Sequence, residues 1–394
     1  MIRALINRPA LGNFPSLDME EVLSSGLLRA APPGLDQVFT ASTGSDANET
    51  AYKAAFMWRR AQERGDSDFT SEEIESAMRN QAPGAPDYSI LSFDGGFHGR
   101  TFGSLATTRS KPIHKLDIPS FDWPSAPFPK LQYPLDQFTT ENAAEEQRCL
   151  SAVDHILSTS AKPVAAVLIE PIQSEGGDNH ASPAFFRSLR ALTTRKDVLL
   201  IVDEVQTGVG ASGKFWAHEH WNMPSPPDMV TFSKKAQAAG FYYGKSALRP
   251  KQPYGQFNTW MGDPARALVF KAILEEIERL DLVANAGRVG EGLYAALESL
   301  ADKYPGEVQN LRGKGCGTFI AWDSPRREEV LAKALERGVL IGSSGARAVR
   351  LRPMLIFQRE HGEFCSHRVV ICGTDSAVAA DVLVETLESI FKEG

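Results

Sequence analysis

The sequence has 394 residues, a formal net charge of −7 and 42% hydrophobic residues. Its lysines and arginines are scattered, which excludes the basic face that nucleic-acid binding needs, and no apolar stretch is long enough to span a bilayer. The length exceeds what a single hydrophobic core usually serves, so two domains are predicted. The first residues lack a secretory apolar core and the amphipathic pattern of an organelle leader. Cys149, Cys316, Cys365 and Cys372 have neither zinc spacing nor the density of a disulfide framework. A reducing, cytoplasmic compartment is the default.

In chain order, the first informative stretch is Thr43-Gly44-Ser45-Asp46-Ala47-Asn48-Glu49, ahead of a segment of good helix propensity from Ala47 to Arg60. Gly44 and Ser45 would open that helix, where free N–H groups and the helix dipole favour an anion. An ordinary capped helix start is the simpler explanation on these residues alone. The next stretch, Phe93-Asp94-Gly95-Gly96-Phe97-His98-Gly99-Arg100, is glycine-rich. Phe97 could stack on a flat ring and Arg100 could hold a carboxylate, or the two are a core phenylalanine and a surface arginine. The proline- and aromatic-rich run from Pro112 to Pro134 is predicted to be an ordered, packed loop.

Three short apolar runs follow: Val164 to Ile169, stopped by Glu170-Pro171; Val198 to Val202, ending in Asp203-Glu204; and Met229 to Phe232, followed by Ser233-Lys234-Lys235. A helix is predicted around Phe185 to Leu192. Runs of this kind are strands buried on both faces, and the alternation predicts an α/β fold with a mostly parallel sheet. Ligands of such sheets lie beyond the carboxyl ends of the strands, so Asp203 and Lys234 are candidate site residues. For a lone aspartate a cap or a salt bridge is the commoner role. A carboxylate and a lysine facing one crevice, however, match the needs of pyridoxal phosphate (PLP): one keeps the pyridine nitrogen protonated and the other holds the cofactor covalently.

Asp263-Pro264 reads as an N-cap with proline at the first helical position. Leu268, Ile273, Ile277 and Leu280 give the helix an apolar face. A second helix near Ala286 to Leu300 and strands near Thr318 to Trp322 and Ala348 to Leu351 complete the pattern. The predicted division is a large cofactor-binding domain over 1–279 and a smaller C-terminal α+β domain over 280–394.

Longer motifs are more specific. These are Glu170-Pro171-Ile172-Gln173-Ser174-Glu175-Gly176-Gly177-Asp178-Asn179-His180, then Val202-Asp203-Glu204-Val205-Gln206-Thr207-Gly208, Lys214-Phe215-Trp216-Ala217-His218-Glu219-His220-Trp221 and Thr231-Phe232-Ser233-Lys234-Lys235. Asn7-Arg8-Pro9-Ala10-Leu11-Gly12 and Phe257-Asn258-Thr259-Trp260-Met261-Gly262-Asp263-Pro264 extend the set. On these motifs, from about Asn7 to Gln358, the chain resembles the class III (subgroup II) PLP-dependent aminotransferases of fold type I, and within them those acting on 4-aminobutyrate.

The resemblance implies a role for each matching position. Lys234, six residues after Asp228, matches the lysine that carries PLP, and Lys235 is its neighbour. Asp203 matches the partner of the pyridine nitrogen, and Gln206 the residue near the phenolic oxygen. Gly44 and Ser45 match the phosphate turn, with Asn48 beside it, and Phe97 matches the aromatic on the ring. Thr259 matches a phosphate contact supplied by the partner subunit, which implies a homodimer with shared sites. Arg100, Glu175 and Arg350 match the substrate residues. Arg100 would bind the distal carboxylate of 4-aminobutyrate, glutamate and 2-oxoglutarate, and Arg350 the α-carboxylate of the last two. Glu175 would pair with Arg350 while 4-aminobutyrate is bound.

The chain also departs from the family pattern. Relatives usually carry a substantial segment ahead of Asn7-Arg8-Pro9, contributing one wall of the site. The expectation is therefore a shortened form or a wall built otherwise, with a mitochondrial location for a chain that has a leader. Some animal relatives hold a two-iron cluster through cysteines at the positions of Thr43 and Asp46. Neither residue supplies a thiolate, so no metal is expected. The segment from Arg359 to Ala379 departs too, and its Cys365, His367 and Cys372 are read as a longer surface loop rather than a metal site. Two other readings stay open: another ω-aminotransferase, such as a lysine 6-aminotransferase, or an inactive homologue serving as a binding subunit.

Overall fold

The computed structural model describes residues 15–357 and 376–393. Its larger sheet has seven strands: β1 (Gln37–Ala41), β2 (Ser89–Phe93), β3 (Ser125–Ala126), β4 (Val164–Ile169), β5 (Leu199–Asp203), β6 (Met229–Phe232) and β7 (Ala239–Tyr243). Their spatial order is β1-β7-β6-β5-β4-β2-β3. β6, β5, β4, β2 and β3 run parallel, and β7 is antiparallel to both its neighbours. β4, β5 and β6 are buried at every position, because helices cover both faces of the sheet's centre, whereas the edge strand β1 is only partly buried. One covering helix is Gly44–Arg64, whose alanines at 47, 51, 54 and 55 are fully buried and let it lie close to the sheet. Another is Pro183–Arg195, which lays Phe185, Phe186 and Leu189 on the opposite side.

Two long helices, Pro264–Arg279 and Leu282–Lys303, lead to a second sheet. It consists of β8 (Gln309–Arg312), β9 (Ile320–Asp323), β10 (Gly342–Ser344) and β11 (Ala348–Leu351), antiparallel throughout in the order β10-β11-β9-β8. It has its own core, in which Trp322, Val349 and Leu351 meet Leu293, Leu297, Val330, Leu387 and Ile390. Each predicted apolar run falls on a strand. The segment from 112 to 134 holds the short β3 and buries Trp123 and Phe128, while Phe121 stays exposed. The distinctive residues of the 359–379 stretch, Cys365, His367 and Cys372, lie outside the described residues.

One buried charge cluster holds the sheet's centre. Asp228, at the entry to β6, is 3% exposed. It accepts from Arg190 at 2.6 Å, from Lys245 at 2.6 Å and from the Leu200 N–H at 2.8 Å. Burial pushes its carboxyl up, but Arg190 and the hydrogen bonds outweigh that and hold it below the ordinary value of 3.8. Its contribution to stability is therefore complete above pH 3.8 and lost as the pH falls through the lower folded-state value. Asp228→Asn should cost on the order of 3–5 kcal/mol at neutral pH, since two cations lose their partner. Urea unfolding would show this, and the difference from the parent should shrink in acid.

Candidate active site

The carboxyl ends of β4, β5 and β6 open into a cleft of about 1210 Å³ between the two sheets, lined by Glu175, Gln206, Lys234, Lys235, Arg350 and Arg352 among others. Asp203 ends β5 and is buried. Its Oδ2 accepts Nδ2 of Asn48 at 2.9 Å and Nδ1 of His98 at 2.8 Å, and its Oδ1 accepts the Val205 N–H at 3.0 Å. A carboxylate has about four acceptor sites, so one remains open for a protonated ring nitrogen. Asn48 is thus tied to the carboxylate rather than merely adjacent to the phosphate turn. His98, which the sequence reading passed over, is the second donor. Its place beside Phe97 in the glycine-rich stretch was the only available signal.

Gly44 and Ser45 start the long helix after Thr43, whose hydroxyl caps it by accepting the Asp46 N–H at 3.2 Å. The first N–H groups of a helix have no partner within it, so this end is a ready anion cradle. A Cβ on Gly44 would lie 2.7 Å from Cγ1 of Val205. Only glycine lets the cradle sit this close to the loop after β5. A carboxylate with an open acceptor site, and an N–H cradle packed against Val205 and Ser233 just before Lys234, are what a phosphorylated pyridinium ring requires, and the residues present fit PLP.

Lys234 follows β6 with a left-handed backbone, φ 50°. Its side chain opens to the cleft, and partial desolvation by the residues around it holds its ammonium below the ordinary lysine value. Asp203, Glu170 and Glu175 pull the other way. Lys235 is engaged elsewhere: its ammonium donates to the Gln206 carbonyl, and burial with Lys234 nearby brings it down to about 7. Of the two lysines, Lys234 is the one turned toward the carboxylates.

Glu170, absent from the predicted site, directly follows β4 and is buried. It accepts the Phe97 N–H at 2.9 Å, joining the loops that carry Phe97 and Glu175. Burial and Asp203 push its carboxyl well above the usual range. The guanidinium of Arg100 lies over the Phe97 ring, 5.6 Å from its centre, and the Arg100 backbone N–H donates to Ser45 Oγ at 3.3 Å. Arg350, on β11, meets Glu175 at 2.8 Å. Burial pushes the Glu175 carboxyl up, but Arg350 outweighs that and brings it below the ordinary value. Lys111 stands 3.9 Å from the other Glu175 oxygen, a neighbour that no motif signalled. Of the predicted site residues, Glu175, Gln206, Lys234 and Arg350 line the cleft, whereas Gly44, Ser45, Asn48, Phe97, Arg100, Asp203 and the exposed Thr259 do not. Among the described residues, no cluster of histidine, cysteine, aspartate or glutamate has a metal-binding arrangement.

A mostly parallel sheet with a carboxylate and a lysine at adjacent strand ends, beneath a helix N-terminus, is the build of a PLP-dependent transferase. Residues 2–370 match the family model "Aminotransferase class-III". A 4-aminobutyrate aminotransferase of Emericella nidulans is 63% identical over all of this chain and 76% of its own. The mitochondrial 4-aminobutyrate aminotransferase of Sus scrofa is 50% identical over 91% of this chain and 73% of its own. Among solved structures, the lysine aminotransferase of M. tuberculosis superposes with a TM-score of 0.82 at 30% identity, over all of this chain and 83% of that one. The chain belongs to the class-III aminotransferases and is a PLP-dependent transaminase.

Proposed function

We propose that this chain transfers the amino group of 4-aminobutyrate to 2-oxoglutarate, giving succinate semialdehyde and glutamate, with Lys234 as the covalent lysine. The observation that carries the reading is the Glu175–Arg350 pair at 2.8 Å, in the same cleft as Lys234. The 63% and 50% identities to 4-aminobutyrate aminotransferases, against 30% to a lysine aminotransferase, support this substrate over the lysine alternative.

PLP, when bound, supplies an aldehyde that takes the amino group and a protonated ring that withdraws electrons from the reacting carbon. Asp203 would hold the proton on the ring nitrogen, Gly44 and Ser45 the phosphate, and Phe97 one face of the ring. Gln206 would sit at the phenolic oxygen. The Lys234 amine, kept easy to deprotonate by its walls, would take the proton from the carbon bearing the substrate nitrogen and return it. Arg100 would bind the distal carboxylate in both halves of the reaction. With 4-aminobutyrate in place, Glu175 neutralises Arg350. With glutamate or 2-oxoglutarate in place, Arg350 turns to the α-carboxylate, and Lys111 is positioned to receive Glu175.

Replacing Glu175 by Gln leaves Arg350 uncompensated beside an apolar chain. The 4-aminobutyrate half-reaction should slow by about 1–3 kcal/mol in its barrier, the usual cost of an unpartnered buried polar group. The glutamate half-reaction should suffer less, and Arg350→Ala should show the reverse bias. Single-turnover absorbance with each substrate measures both, and equal slowing of the two halves by Glu175→Gln would reduce Glu175 to a structural residue.

The proposal includes a homodimer in which Thr259 reaches the partner's phosphate site. Phe102, Ile113, Leu116 and Phe121, all within twenty positions of one another in sequence, are at least 57% exposed, and the proposed dimer would cover them. Sedimentation of the purified chain tests it. Among the described residues no helix is long and apolar enough to cross a membrane. The proposal places the enzyme in the cytoplasm, or in mitochondria where a leader precedes the chain.

A further inference from the structure

The cleft holds a second arginine. Arg352 lies two residues past Arg350, lines the same cavity and feels the charges of both Arg350 and Glu175. Two arginines beside one substrate would blur a switch that depends on a single mobile pairing, because either could take Glu175 or an incoming carboxylate. Asp178 prevents this. It is fully buried and sits in the same loop as Glu175, with a left-handed backbone at φ 54°. One carboxylate oxygen binds the Arg352 guanidinium and the other accepts the hydroxyl of Ser344, on β10, at 2.6 Å. The Arg352 guanidinium lies flat on Phe319, 3.9 Å from the ring centre. Neutralised on one side and stacked on the other, Arg352 has little freedom to leave.

The loop is anchored to the second sheet by further bonds. Arg312 donates to the carbonyls of Gly177, at 2.6 Å, and Asp178, at 3.0 Å. The Gly345 N–H donates to the Glu175 carbonyl at 3.1 Å. A Cβ on Gly345 would come within 2.8 Å of the Gly177 Cα, so the β10–β11 turn and the loop touch backbone to backbone. Glu175 and Arg350 therefore face each other across a fixed frame, and only their side chains need to move.

We propose that Asp178 is the positioning residue of the substrate switch: by holding Arg352 permanently, it leaves Arg350 as the only arginine of the pair that Glu175 can release to an α-carboxylate. This inference rests on the dual-substrate reading above. It makes opposite demands on the two members of the pair. In Asp178→Asn, Arg352 is uncompensated. It competes for Glu175 and adds a positive charge beside the 4-aminobutyrate chain. In Arg352→Gln, a buried Asp178 carboxylate is uncompensated and draws Arg350 away from the α-carboxylate of glutamate.

The test is single-turnover kinetics of both half-reactions in the PLP-loaded parent, Asp178→Asn, Arg352→Gln, the double variant and Ser344→Ala. Thermal unfolding is recorded for each. Asp178→Asn should slow the 4-aminobutyrate half roughly tenfold more than the glutamate half, and Arg352→Gln should show the opposite bias. The double variant should bring the ratio of the two rates back toward the parent value. Ser344→Ala removes one hydrogen bond to Asp178 while the Asp178–Arg352 pair stays in place, and should shift the ratio far less than Asp178→Asn does. Equal slowing of both halves in Asp178→Asn and Arg352→Gln, with no recovery in the double variant, would overturn the proposal and leave the pair a structural fastener. If Asp178→Asn does not fold, the direction of the bias in Arg352→Gln decides alone. A parent enzyme inert toward both substrates would instead overturn the functional reading.

Discussion

Lys234→Ala should retain the fold and lose transamination. The side chain makes little contribution to the core, since it opens into the cleft. Its chemistry has no substitute nearby. The neighbouring Lys235 donates to the Gln206 carbonyl and sits over Phe319 at 5.8 Å from the ring centre, so its ammonium is turned away from Asp203. Removing a positioned base alone costs roughly 10²- to 10⁴-fold in rate, and the covalent hold on the cofactor goes with it. The measurement has two parts. Borohydride reduction followed by peptide mapping should place the cofactor on Lys234 in the parent and find no labelled lysine in the variant. Thermal unfolding should show a folded variant. Label on Lys235 in the parent would mean that the wrong lysine has been assigned.

Much of this site was legible in the sequence because strand ends announce themselves. A β-branched run that stops at a charged residue places that residue at a sheet's carboxyl edge, and Asp203 and Lys234 were found that way. What remained illegible was which side chain turns to which. Asn48 sits on a helix and could face several neighbours, and only the packed structure directs its amide to Asp203. His98 stands one residue from Phe97, and alternation alone cannot say which of the two enters the carboxylate's shell. Asp178 carried no signal in the Glu170–His180 motif, because its partners, Ser344 and Arg352, lie more than 160 positions away in sequence. The fold was legible in the same uneven way. The buried parallel strands were recognised from their apolar runs. β10 and β8 are short and polar (Gly342–Ser344 and Gln309–Arg312), and their place comes from pairing with β11 and β9 rather than from any local pattern.

Asp203→Asn should separate cofactor binding from catalysis. The amide is close to the carboxylate in shape, so the strand end keeps its packing. It can still accept one N–H, and the phosphate cradle at Gly44 and Ser45 is untouched. What the amide lacks is the negative charge that keeps a proton on the ring nitrogen. An Asn in this place also turns an NH₂ toward one of the groups that now donate to Oδ2 or Oδ1: Asn48, His98 or the Val205 N–H. A donor facing a donor costs free energy, and a hydrogen bond to a charged group is worth about 1.5–3 kcal/mol. Loss of the charge-assisted bond to the ring nitrogen, at the same magnitude, corresponds to roughly ten- to a hundredfold in the rate of each half-reaction. Because proton loss from the substrate carbon depends on the ring in both directions, the two halves should slow alike. This sets the variant apart from Glu175→Gln, which biases them. Equilibrium titration with PLP should show affinity reduced far less than rate. Near-parent single-turnover rates in Asp203→Asn would show that the carboxylate does not govern the ring, whatever its place in the cleft.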